Sequence, residues 1–78
     1  MKLKQAGSNM TELFVNGHII LFSYETPVAA NLWDGGFVRT STHYSPTTSR
    51  HINKWLDGRT APEVPQAEID ALLNNQGE

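Results

Sequence analysis

Between Met10 and Tyr24 the chain reads Met-Thr-Glu-Leu-Phe-Val, then Asn16-Gly17, then His-Ile-Ile-Leu-Phe-Ser-Tyr. Asn and Gly tolerate the positive φ angles of a two-residue type I′ turn, so this is a β-hairpin. Such a loop pairs Val15 with His18 and Leu13 with Ile20. One face then carries Leu13, Val15, His18, Ile20, Phe22 and Tyr24, and the other Phe14, Ile19 and Leu21. Both faces are apolar. Helices or other segments must therefore cover both, or one face is a binding surface.

The rest of the chain supplies that cover. Ser45 can cap a helix whose first position is Pro46, where no amide is needed. Thr48, Ile52, Trp55 and Leu56 share one face at helical spacing, and Asp57-Gly58 is a stop, predicting a helix over 46–57. A second, shorter helix is expected over 65–73, with Ile69, Leu72 and Leu73 as its apolar stripe. Residues 1–9 alternate Met1 and Leu3 with Lys2 and Lys4, as in an edge strand guarded by lysines. Pro27 marks a strand end or bulge, and 28–32 reads as a third strand or a helical turn. The strand reading continues through Asp34-Gly35-Gly36 into Phe37–Ser41. The expected fold is α+β: an antiparallel sheet of three or four strands, packed by the 46–57 helix and a short C-terminal helix. A core domain over 1–58 is followed by an acidic linker and helix over 59–78, with Arg59 to Pro65 as the linker and 74–78 fraying.

Seventy-eight residues make one small domain, marginal in stability or assisted by a partner. There is no cysteine, which excludes disulfides and thiolate metal sites. No apolar run is long enough for a membrane span, and no signal-peptide core follows Lys2 and Lys4. A soluble cytoplasmic protein is the expectation. The net charge of −2 hides an asymmetry. Residues 1–59 hold all six basic residues and Glu12, Glu25, Asp34 and Asp57; residues 60–78 hold only Glu63, Glu68, Asp70 and Glu78. A mildly basic body is compatible with an anionic partner without demanding one.

His18, His43 and His51 are dispersed, with no metal-ligand spacing. No Gly-x-Ser-x-Gly elbow is present, and a chain this short has little volume for a water-excluding pocket. No enzyme activity, metal or cofactor is expected. From Gly35 to Leu56, however, no acid occurs, while Arg39, Arg50 and Lys54 stand among hydroxyls and the rings of Phe37, Tyr44 and Trp55. A helix start with free amides, hydroxyls and cations suits phosphate, and rings stack on bases. Trp33, beside a Gly-rich turn, is the candidate anchor for a protein partner.

The segments LFSYETPVAA (21–30), GGFVRTSTHYS (35–45) and TTSRHINKWL (47–56) resemble a family of small phage and prophage proteins of unknown function. The resemblance spans residues 13–56 and leaves 59–78 outside. It implies a stoichiometric binder that occupies a host protein or ribonucleoprotein complex, most concretely an inhibitor of a host defence system such as CRISPR–Cas. It implies no chemistry. The alternative is a small nucleic-acid-binding accessory protein using the basic 39–54 surface. In either case Arg39, Arg50, His51, Asn53, Lys54, Tyr44 and Trp33 are the expected contact residues. An open sheet edge leaves a homodimer open.

Overall fold

A computed structural model describes residues 2–74. Of the expected fraying of 74–78, residue 74 instead ends a helix, and 75–78 lie outside the described residues. The elements in order are β1 (Lys2–Gly7), β2 (Met10–Val15), β3 (His18–Ser23), β4 (Thr26–Asn31), β5 (Phe37–Thr40), α1 (Pro46–Leu56), β6 (Glu63–Val64) and α2 (Gln66–Asn74). The strands form one sheet in the order β1-β2-β3-β4-β5-β6, with only the last pair parallel.

The hairpin forms in the expected register, Val15 opposite His18 and Leu13 opposite Ile20. Asn16 and Gly17 take φ of 53° and 83°. Residues 28–31 are strand, and a second hairpin leads through Asp34-Gly35-Gly36 into β5. Pro27 lies beside a bulge: Leu21 faces Ala29 while Phe22 faces Pro27, leaving Val28 as the extra residue. The bulge breaks alternation, so Val28 and Ala29 both enter the same core cluster and Ala30 enters the other.

The two helices cover opposite faces. Ile52 and Leu56 of α1 pack with Met10, Leu21, Val28 and Ala29. Leu72 and Leu73 of α2 pack against the cluster of Leu13, Val15, Ile20 and Ala30. Gln66 at the start of α2 donates to the Pro27 carbonyl at 2.8 Å, fixing that helix to β4.

Three expectations change. The sheet has six strands instead of three or four, because β1 pairs along β2 and the stretch read as a linker contributes β6. That strand has two residues and is held by bonds from β5: Arg39 N–H to Pro62 O at 3.0 Å and Ser41 N–H to Val64 O at 2.9 Å. Tyr24 leaves the Ile20–Phe22 face. Its φ of 58° puts it in the left-handed region, and its ring lies 5.6 Å from that of His51 on α1. Asp57 is not helical either; at φ 52° it forms the left-handed cap of α1, followed by Gly58 at φ 85°.

Candidate functional site

Helix α1 is built by local chemistry. The Ser45 hydroxyl oxygen accepts from the Thr48 amide at 3.1 Å, and Pro46 opens the first turn. The first turn therefore spends one free amide on its own cap. Thr48, Ile52 and Leu56 face inward and are buried. At 3.6 residues per turn, this inward stripe places Ser49 and Asn53 on one flank, Thr47, His51 and Lys54 on the other, and Arg50 on the outer crest.

The flank toward β5 carries Arg39. Its guanidinium donates to the Asn53 side-chain oxygen at 3.2 Å, joining strand to helix, while its Nε is buried with no hydrogen-bond partner among the described residues. Arg39 lies opposite Glu63 in the β5–β6 register. Nearby, Phe37 meets Trp55 edge-on at 5.5 Å, and the Arg59 guanidinium lies 5.3 Å from the Phe37 ring centre on its face, a cation–π contact.

Toward β3, a chain of hydroxyls ends at His51. Ser45 donates to Thr48 Oγ1 at 3.3 Å; Thr48 and Ser23 share a hydrogen bond at 3.0 Å; Ser23 and His51 Nδ1 share one at 2.7 Å. The Ser23–His51 distance is that of a nucleophile and its base. Ser23 is only 2% exposed and lies beneath α1, so no substrate reaches its oxygen. The pair instead satisfies a buried hydroxyl.

On the flank toward β1 and β2, Lys4, Gln5, Met10, Glu12, Lys54 and Trp55 line an open recess of about 340 Å³. The Trp55 indole N–H donates to the Glu12 carboxylate at 2.7 Å. Sequence reasoning missed this recess. The spacing of Lys4 and Glu12 signals nothing until the β1–β2 register sets them opposite each other.

The remaining expected contact residues scatter. Arg50 is exposed on the crest, its guanidinium donating weakly to the Thr47 hydroxyl at 3.4 Å. Tyr44 is exposed in the loop before α1, where His43 and Ser49 share a long contact of 3.4 Å. Trp33 stands at the other end of the sheet, past β4 and beside the Asn16-Gly17 turn. It is 69% exposed, its amide donates to His18 Nδ1 at 3.2 Å, and a Cβ at Gly17 would come within 3.1 Å of its own Cβ. Arg39, Arg50, Asn53 and Lys54 are thus arranged around α1, and Trp33 is not with them. Acids from other elements, Glu12 and Glu63, stand among these cations, so the ridge is less basic than the sequence of 35–56 alone suggests.

Among the described residues, no group of three or more His, Asp or Glu is placed to hold a metal ion. No helix among them is long and apolar enough to cross a membrane.

Neither curated proteins nor solved structures give a match to this chain. A family model does: it matches residues 1–71, beyond the 13–56 segment that carries the resemblance, and so takes in β1, β6 and most of α2. The chain belongs to that family, described as a family of unknown function (DUF8033).

Proposed function

We propose that this chain is a small binding protein that acts by occupying a macromolecular partner, with Trp33 as its principal anchor. The observation that carries this reading is a large ring, 69% exposed, on a braced turn. Its backbone is tied to His18 and its Cβ backs onto Gly17. A pre-positioned exposed Trp loses little freedom on binding and buries a large area, the combination found at energetic centres of interfaces. In its most concrete form the partner is a host protein or ribonucleoprotein complex in the cytoplasm, and the chain is a phage or prophage inhibitor of a defence system such as CRISPR–Cas. That form is supported by the resemblance of residues 13–56.

The test is capture from a bacterial lysate with tagged wild-type protein and with Trp33→Ala, with and without nuclease, across a salt series. A single complex retained after nuclease and at high salt, and lost with Trp33→Ala, supports the reading. Capture abolished by nuclease or moderate salt, and insensitive to Trp33, overturns it in favour of nucleic-acid binding by the cations around α1.

A further inference from the structure

Among the described residues, strand β1 has a neighbour on one side only. Its outer backbone edge spans six residues, about 20 Å at strand spacing, of which residues 2–5 alternate regularly before a bulge between Gln5 and Gly7. Both faces beside this edge are recessed. On the α1 face lies the recess lined by Lys4, Lys54 and Glu12, two cations and one carboxylate that already accepts from Trp55. On the α2 face, Leu3, Thr11 and Phe22, with Tyr24 and Glu25 of the turn after β3 at its end, line a second open groove of about 260 Å³. Helix α2 packs mainly on β4 and β5, none of its residues lines this groove, and Leu3 is 68% exposed.

We propose that the open edge of β1 takes an extended segment of another protein as a seventh strand, with side chains alternating between acidic and apolar. An added strand points successive residues to opposite faces. Those on the α1 face meet Lys4 and reach toward Lys54, and those on the α2 face meet Leu3 at the mouth of the groove that Phe22 floors. The charge pattern also selects against the simplest competitor, a second copy of this chain. Antiparallel pairing of two β1 strands keeps each face in register with itself, setting one lysine-bearing strand against another, and like charges opposite each other are unfavourable. The lysines therefore guard the edge against self-association while leaving it open to an acidic partner. This surface is separate from Trp33 and stands or falls independently of the anchor role given to that residue.

The test uses the full chain and three fluorescein-labelled synthetic pentapeptides: Glu-Val-Glu-Val-Glu, the block isomer Glu-Glu-Glu-Val-Val, and Lys-Val-Lys-Val-Lys. Anisotropy is titrated to millimolar protein, and amide exchange is followed by NMR. Expected is saturable binding of the alternating acidic peptide alone, with slowed exchange of β1 amides. Lys4→Glu with Lys54→Glu should weaken it about tenfold, the size expected of two exposed charge contacts, and should admit the lysine peptide. Both positions are exposed, so the variant keeps its fold, and its exchange pattern elsewhere checks this. Trp33→Ala should leave peptide binding unchanged. Absence of saturable binding overturns the proposal, as does binding without β1 protection. Protection of β1 that rises with protein concentration alone also overturns it and assigns the edge to a second copy.

Discussion

The indole of Trp55 and the carboxylate of Glu12 are 43 residues apart in sequence and 2.7 Å apart in space. This bond ties α1 to β2 and fixes the ring between Phe37 on one side and the Lys4–Lys54 recess on the other. Trp55→Phe keeps much of the ring but removes the donor. It should cost about 1–2 kcal/mol in urea unfolding, as for a hydrogen bond to a charged acceptor that regains some water. Glu12→Gln, which still accepts, should cost less. In the double variant the losses should not add, since the two changes remove one interaction.

Ser23 provides a second test of how α1 is seated. It is the buried meeting point of Thr48 and His51. Ser23→Ala leaves the buried Thr48 hydroxyl short of a partner and should destabilise the chain by about 1–3 kcal/mol. Thermal unfolding of Ser23→Ala beside His51→Ala separates the two arms of the network. A loss for Ser23→Ala no larger than that of an exposed serine would show that the hydroxyl chain contributes nothing.

What could be read from the residues was local. Asn16-Gly17 specifies its turn through the φ angles of two adjacent residues, and Ser45-Pro46 specifies a helix start within four. β6 could not be read this way. Glu63 and Val64 stand between prolines, and their pairing comes from β5, more than twenty residues earlier. Tyr24 misleads because a tyrosine carries no signal for a left-handed φ, so the alternation of β3 is extended one residue too far. The Arg39–Asn53 contact was accessible as a strand–helix juxtaposition of two polar residues. The Lys4, Glu12, Lys54 and Trp55 recess needs three elements in register and was not.

Gly17 and Gly58 separate backbone cost from packing cost. Both have φ near 85°, which disfavours any side chain. At Gly58 a Cβ meets nothing within 4 Å, so Gly58→Ala should cost only the backbone term, about 1 kcal/mol. At Gly17 the Cβ would press on Trp33 at 3.1 Å. Gly17→Ala should cost more than Gly58→Ala and also shift the Trp33 fluorescence. In the double variant Gly17→Ala/Trp33→Ala the excess should shrink only slightly, because alanine retains the Cβ that makes the closest contact.

The last prediction concerns whether the C-terminal segment is an appendage or part of the core. Ile69 of α2 is fully buried, as Ile52 of α1 nearly is, on opposite faces of the same sheet. Truncating either to alanine opens a cavity and should cost about 2–5 kcal/mol. For a domain this small, that is comparable to the whole stability. If residues 59–78 merely sit beside a self-sufficient 1–58 core, Ile69→Ala should release α2 and leave amide protection in β2 and β3 intact. We expect the opposite. Helix α2 covers Ala30 and Val38 in the middle strands, and β6 completes the edge beside β5. Without them those strands would present an apolar face to water. Ile69→Ala should therefore lower protection throughout the sheet, as Ile52→Ala should, and the two profiles measured by amide exchange should coincide.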